Sequence, residues 1–289
     1  MNIDRASVDV ARAAPVVERD PAARPVPASL AAGDAATSGA ILFARYAYPP
    51  NELGYCGPED SAGLLQYGAS RVTDPGLALL ARGFAGAWPY LELIAAVTGT
   101  RDPLDRRVVE AYWLGSPLLD GIDMATFAES LRERFRHRAG KSWGNLAEAI
   151  PEGAVPNHSF HVFGVYPWVG LLDGQKGDSE PLTVLDRCRI RWGQVIATRG
   201  EEVDVLSRPL TYDGHDVGLG APRAETARAA RSGLAMVGFR PGDWVSLHWG
   251  WVCDRLERRQ LVNLRRGTLR QLAITNRRVV HSGPAAAIG

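Results

Sequence analysis

Gly-Asp-Trp-Val-Ser-Leu-His-Trp-Gly-Trp-Val, at residues 242–252, is the stretch of this sequence that says most about its fold. A Pro-Gly-Asp turn feeds it, and its aromatic and β-branched residues are typical of a strand. Side chains alternate between the two faces of a strand, so Val245, Leu247 and Trp249 are expected on one face. His248 would lie on the opposite face, towards solvent. We therefore expect a β-domain around this segment.

Upstream of this segment the apolar period changes from about 3.6 to 2, as in a half-buried strand. Arginine and apolar residues alternate there: Arg187, Cys188, Arg189, Ile190, Arg191, Trp192. The pattern places Cys188 on the apolar face of a strand, and residues 195–197 and 203–205 are further strand candidates. The Ala-rich stretch 223–234 is expected to be helical, and 254–272 is expected to form a closing helix.

The first half of the chain has a helical pattern. Apolar residues recur every three or four positions over residues 74–96, which predicts one helix with a kink at Pro89. Further helices are expected at 105–114 and after Asp123, where Phe127, Leu131 and Phe135 would face inward. A loop rich in Gly and Pro is expected at 49–58.

These patterns predict an α+β protein in which a mainly helical N-terminal domain precedes the β-domain. We expect a disordered tail at 1–38, with structure beginning at 41–46. The helical domain would extend over 39–175 and the β-domain over 182–275. A flexible tail is expected at 276–289.

Composition restricts the classes of partner. The formal net charge is +1 and the pI is near 7.8, so the sequence offers no basic field for nucleic acid or an anionic membrane. Its 3 cysteines form no C-x-x-C pair, which is against an ordinary zinc site or a disulfide framework. Apolar runs are interrupted before they reach membrane-spanning length. We expect a cytoplasmic protein whose partner is a protein or a small molecule.

Two motifs resemble the HypC/HupF family, the chaperones that assemble the iron centre of nickel-iron hydrogenases. The run 188–195, Cys-Arg-Ile-Arg-Trp-Gly-Gln-Val, is similar to the opening strand of that family, although Trp192 replaces its usual Pro. Residues 242–252 resemble its Gly-Asp-aromatic-Val-x-Val-His-x-Gly-aromatic strand almost position for position. The resemblance covers residues 183–272 and implies a small OB-like or SH3-like β-barrel with a C-terminal helix.

The resemblance also implies an accessory role in hydrogenase maturation instead of an enzymatic one. In the family a cysteine thiolate and a strand histidine are implicated in carrying iron with cyanide and carbon monoxide ligands, so Cys188 and His248 would be the metal ligands here. The family cysteine lies at the N-terminus beside a free amine, whereas Cys188 is internal and lacks that amine. The implied partners are the hydrogenase large-subunit precursor and other maturation proteins. Four residues would contact them: Trp244, Trp249, Trp251 and Arg189.

Two alternatives remain open. The barrel could dock to the hydrogenase system as a scaffold without metal, in which case Cys188 is a small buried apolar side chain. Alternatively, the protein is an enzyme in which Cys56 and the pair His158 and His161 form a thiol site for nucleophilic catalysis.

Overall fold

The structure is a computed structural model that describes residues 37–123, 126–129, 153–172 and 179–281. Helices dominate its first part: α1 (Gly39–Glu52), α2 (Ser61–Ser70), α3 (Pro75–Arg82), α4 (Trp88–Val97) and α5 (Arg106–Leu114). Short helical segments follow at Pro117–Gly121, His158–Phe160, His161–Val165 and Pro167–Leu171. Helix α6 (Ser179–Cys188) then leads into the sheet region.

Nine strands and a long helix make up the rest of the described chain. The strands are β1 (Arg191–Arg199), β2 (Glu202–Ser207), β3 (Leu210–Tyr212), β4 (Val217–Leu219), β5 (Arg223–Arg228), β6 (Ala230–Arg231), β7 (Leu234–Ala235), β8 (Trp244–His248) and β9 (Trp251–Arg255). Helix α7 (Arg258–His281) follows them. The α+β class, the helical first part and the C-terminal helix are therefore confirmed.

Five of the strands form a closed barrel in the order β1, β2, β5, β9, β8. Strand β1 pairs antiparallel with both β2 and β8, and this double pairing closes the ring. Strands β5 and β9 pair in parallel, joined at Arg228 and Trp251. Valine side chains such as Val203, Val205 and Val245 fill the interior. A barrel without free edges leaves its ends and outer face for contact with the helices.

Helix α1 is the central element of the helical part. The Ser38 side chain caps it by accepting a hydrogen bond from the Ile41 amide, and most of its residues are buried. The helix contains Pro49 and Pro50 and ends at Glu52, so the expected loop at 49–58 begins later than predicted. Packing against α2, α5 and the barrel compensates for the hydrogen bonds that proline cannot make.

The single kinked helix predicted at 74–96 is wrong. Asp74 caps α3 by accepting from the Gly76 and Leu77 amides, and a separate helix, α4, begins at Trp88. Pro89 lies in the first turn of α4, where the missing amide hydrogen costs no helical bond. The helix at 105–114 is confirmed, with Asp105 as its cap.

The predicted third helix and the predicted tails fall largely outside the described residues. After Asp123, the described part of that helix covers 126–129, in which Phe127 is buried, whereas Leu131 and Phe135 lie outside it. Residues 1–36 and 282–289, where the tails were predicted, also lie outside the described residues. The flexible tail predicted from 276 is wrong for its first residues, because α7 continues to His281.

Two predictions around the barrel are wrong for the same reason, which is tertiary pairing. The stretch 223–234 forms β5 and short strands instead of a helix, because β5 pairs with β2 along its whole length. Cys188 is the last residue of α6, not part of a strand. Arg189 and Arg191 are buried instead of facing solvent, since they form ion pairs with carboxylates at 186 and 225.

The helical part and the barrel share one hydrophobic core. A single cluster of buried residues includes Tyr46 and Trp113 from the helices and Trp251 and Cys253 from the barrel. No helix in the described ranges is both long and apolar enough to cross a membrane.

A buried ion pair also joins the two parts. Arg45 on α1 is fully buried, and its Nη1 donates to Asp254 Oδ1 on β9 at 3.0 Å. Its Nε donates to the Gly68 carbonyl at 3.3 Å. The pair therefore fixes the barrel against α1 and α2.

Replacing Asp254 by Asn is expected to lower the free energy of unfolding by about 3–5 kcal/mol, because it leaves a buried guanidinium without its carboxylate. Urea denaturation measures this change. The matched control is Arg199→Gln, which breaks the exposed ion pair with Asp204 and should cost less than about 1 kcal/mol. A loss at Asp254 no larger than that of the control would contradict the prediction.

Candidate metal centre

Three ligand-type side chains meet where the helices contact the barrel. His158 begins a short helical segment that Asn157 caps by accepting from the Phe160 amide at 3.0 Å. Cys188 ends α6 and His248 ends β8. One ligand atom from each of the three lies within 4.8 Å of the other two, and all three residues are buried.

A transition-metal ion fits between these three ligand atoms once they move slightly closer to one another. Metal–nitrogen bonds of about 2.0 Å and metal–sulfur bonds of about 2.3 Å place ligand atoms roughly 3.3–3.8 Å apart around a tetrahedral ion. Two imidazoles and one thiolate bind zinc, iron, nickel, copper or cobalt more readily than magnesium or calcium. Three protein ligands also leave at least one coordination position for a further ligand.

The hydrogen bonds of the two imidazoles define which nitrogens can bind a metal. His248 Nδ1 lies 2.7 Å from the Tyr46 carbonyl oxygen, which can only accept, so Nδ1 carries the proton and Nε2 the lone pair. His248 Nε2 is buried and has no hydrogen-bond partner among the described residues. His158 Nε2 donates to the Cys188 carbonyl at 2.8 Å, which leaves the lone pair on Nδ1, 3.4 Å from the Tyr112 hydroxyl. Carbonyl contacts of this kind orient histidine ligands in metal sites.

Burial holds all three groups in their neutral forms. It lowers the pKa of His158 to about 4, although the Cys188 carbonyl opposes the shift. It lowers the pKa of His248 well below the ordinary value, with His158 adding to the effect. Burial raises the pKa of the Cys188 thiol to about 12, and the Trp249 indole N–H opposes that shift. A bound metal ion would therefore have to displace the Cys188 thiol proton and the Tyr112 hydroxyl at His158 Nδ1, whereas His248 Nε2 already offers a lone pair.

The three residues line a cavity of about 240 Å³. Its other walls are mainly aromatic and include Tyr112, Trp113, Tyr166, Trp168 and Trp249. Neither a carboxylate nor a lysine or arginine side chain is among the described residues that line it. The cavity therefore offers a neutral, mostly apolar environment beside the ligands.

Cys56 and His161, which the sequence placed in a separate thiol site with His158, line this same cavity. They are not part of the three-residue cluster. Burial raises the pKa of Cys56 to about 12 and lowers that of His161 to about 3, so neither is primed for acid–base chemistry at neutral pH. His158 therefore belongs with Cys188 and His248, which the sequence did not indicate.

The predicted exposure of His248 is wrong, because its side chain is 1 % exposed and lies under α1. Three of the four residues predicted to contact partners are also buried. Arg189 is held by Asp186 at 2.8 Å, and Trp251 donates to Glu52 at 3.1 Å. Trp249 is buried and lines the cavity. Trp244 is the one of the four that is partly exposed. A docking surface built from these four residues is therefore not available in this conformation.

Fold and site together define a class: an α+β protein with a candidate His-Cys-His metal centre in a cavity between a helical part and a β-barrel. The chain belongs to a family of unknown function, DUF6390, whose model matches residues 35–282. The family thus includes both the helices and the barrel. No curated protein and no solved structure matches the chain.

Proposed function

We propose that this protein is an accessory protein of nickel-iron hydrogenase maturation that holds an iron fragment at Cys188, His248 and His158. The observation that carries the proposal is the meeting of Cys188 with His248. The HypC/HupF resemblance singles out these two residues, which lie far apart in sequence, and their ligand atoms lie within 4.8 Å of each other. We take the closed barrel with helix α7 as the counterpart of the OB-like or SH3-like barrel of that family.

The chemistry of the donor set supports an iron cargo that bears cyanide and carbon monoxide. A soft thiolate and imidazoles suit low-spin iron, which accepts strong-field ligands. His158 supplies a third donor in a chain whose cysteine is internal and has no neighbouring terminal amine. The cavity beside the three ligands gives room for small diatomic ligands.

A carrier role is better supported than catalysis. Among the described residues the cavity wall has no carboxylate to act as a base towards a metal-bound water, and burial lowers the pKa of its remaining imidazole, His161, to about 3. The alternative enzyme built on Cys56 needs a thiolate and a basic imidazole. Burial disfavours both, since it raises the pKa of Cys56 and lowers the pKa of His161.

The proposed partners are the hydrogenase large-subunit precursor and other maturation proteins, in the cytoplasm. Affinity purification of the tagged protein from hydrogenase-expressing cells is expected to recover at least one of them. Infrared spectroscopy of the same sample is expected to detect cyanide and carbon monoxide stretching bands. Absence of both partner and bands would contradict the proposal.

Genetic complementation separates the carrier from a metal-free scaffold. A strain that lacks the protein is complemented with the wild type, with Cys188→Ala or with Cys56→Ala. We expect hydrogenase activity to be restored by the wild type and by Cys56→Ala but not by Cys188→Ala. Full activity with Cys188→Ala would favour the scaffold.

A further inference from the structure

Two buried N–H donors in the cavity wall have no hydrogen-bond partner within the part of the chain that the structure describes. Trp113 and Trp249 both line the cavity, and neither indole Nε1 makes a hydrogen bond to any described residue. An unsatisfied buried donor costs about 1–3 kcal/mol, so natural proteins rarely leave one without a purpose. Here two such donors occur in the cavity that also contains the unpartnered His248 Nε2.

The position of Trp113 places its ring beside both imidazoles. Its ring centroid lies 4.7 Å from that of His158 and 5.7 Å from that of His248. Tyr46 stacks on Trp113 at 5.4 Å with an interplanar angle of 16°, which limits rotation of the indole. The Trp113 ring is therefore held next to the two histidine ligands.

Trp249 is held beside the third ligand. Its backbone has a φ of 48°, a left-handed conformation that is costly for a bulky residue, and its amide donates to the Arg187 carbonyl at 2.9 Å. Tyr55 stacks on its ring at 4.2 Å. Arg187 directly precedes Cys188, and Trp249 and Cys188 line the same cavity. Trp249 and Gly250 are the two central residues of the tight hairpin turn between β8 and β9, and this turn fixes the backbone of Trp249.

We propose that the Trp113 and Trp249 indole N–H groups donate hydrogen bonds to small anionic ligands carried by the metal ion at His158, Cys188 and His248. The charge of the site favours anions, because a divalent ion with one thiolate retains a net positive charge and, among the described residues, the cavity wall supplies no carboxylate to neutralise it. The outer atom of a metal-bound cyanide is an acceptor that suits an N–H donor. The choice of cyanide rests on the proposed function, whereas the pairing of donors with anions does not.

The test replaces each tryptophan by Phe, which keeps an aromatic ring but removes the N–H. Trp168→Phe is the matched control, because Trp168 lines the same cavity and its indole nitrogen is not among the buried unpartnered atoms. Each full-length variant is loaded anaerobically with ferrous ion and titrated with potassium cyanide. The cyanide stretching band and the iron content are both measured.

We expect Trp113→Phe and Trp249→Phe each to weaken cyanide binding about 10- to 100-fold, as expected for a lost hydrogen bond to a charged acceptor, and to shift the cyanide band. Uptake of ferrous ion alone should be unchanged, and Trp168→Phe should behave as the wild type. Incorporation of β-(3-benzothienyl)alanine at position 113 or 249 removes the N–H without changing the ring shape. It should reproduce the effect even where a Phe variant folds poorly.

The inference would be overturned if the two Phe variants and the benzothienyl variants bound cyanide as tightly as the Trp168→Phe control and showed the same cyanide band. A wild type that takes up iron but binds no cyanide would overturn it too. Neither result alone removes the proposed function, which fails if cells yield no partner and no infrared bands. Conversely, the expected titration results could be obtained with a protein that has no role in hydrogenase maturation.

Discussion

Replacing Cys188 by Ser is expected to lower the affinity of the protein for cobalt(II) by about 100- to 1000-fold. Structural metal sites bind with roughly 10–16 kcal/mol shared over about four ligands, so each ligand contributes some 2.5–4 kcal/mol. Cys188 is also the only sulfur in the three-residue cluster. The intense thiolate-to-cobalt absorption band of the wild type should therefore vanish together with the affinity.

Two matched controls come from the same cavity. Cys56→Ser removes a partly buried thiol that lines the cavity but lies outside the cluster, and it should keep both the affinity and the absorption band. Likewise, His158→Gln should weaken cobalt binding to a similar extent as Cys188→Ser, whereas His161→Gln should not. A Cys188→Ser variant that retains the thiolate band, or a Cys56→Ser variant that loses it, would contradict the assignment of ligands.

The free energy of unfolding is expected to fall by roughly 4–6 kcal/mol between pH 6.5 and pH 5 in the metal-free protein. His158, His161 and His248 are buried as neutral imidazoles, and burial lowers the pKa of each below 6.5. In the unfolded chain they titrate near 6.5. The unfolded state therefore binds more protons than the folded state as the pH falls through this window, and stability decreases.

The magnitude follows from the size of the pKa shifts. With folded-state pKa values of about 4 for His158 and about 3 for His161, each contributes about 1.6 kcal/mol over these 1.5 pH units. Stability should be fully present above pH 6.5 and continue to fall towards the folded-state pKa values. Urea denaturation at a series of pH values, analysed by the shift of the midpoint, measures this dependence.

His215 provides the control, since it lies in an exposed loop between two short strands. His215→Gln should leave the pH dependence unchanged, whereas His161→Gln should reduce it by about one third. Saturating cobalt(II) should raise stability but steepen its fall towards low pH, because the bound metal displaces the Cys188 thiol proton in the folded state. A stability that is constant between pH 6.5 and pH 5 would show that the three imidazoles do not remain neutral in the folded protein.

The errors in the sequence-based prediction have identifiable physical causes. The alternation around Cys188 was interpreted as a strand because arginine was taken as a solvent-facing residue. In the fold Arg189 and Arg191 are buried by ion pairs, one of them to Glu225, a residue far along the chain. Periodicity cannot reveal a partner that is distant in sequence, and neither could the Ala-rich composition of 223–234 reveal its pairing with β2.

The candidate centre illustrates the same limit. The sequence indicated Cys188 and His248 through the resemblance, and it indicated His158 and His161 through their spacing. It did not indicate that His158 joins the first pair while His161 does not. It gave no signal for Trp113, which stood as one more apolar residue of a predicted helix.

By itself the sequence determined the α+β class, the helix at 105–114, the long C-terminal helix and the strand around Val245 and Leu247. These features depend on local patterns of apolar and capping residues, which do not require knowledge of any long-range contact. Only the tertiary structure decided that the helical part and the barrel share a core. Because α1 packs on β8 and β9, and α6 ends against the His158 segment, residues from three distant parts of the chain form one buried centre.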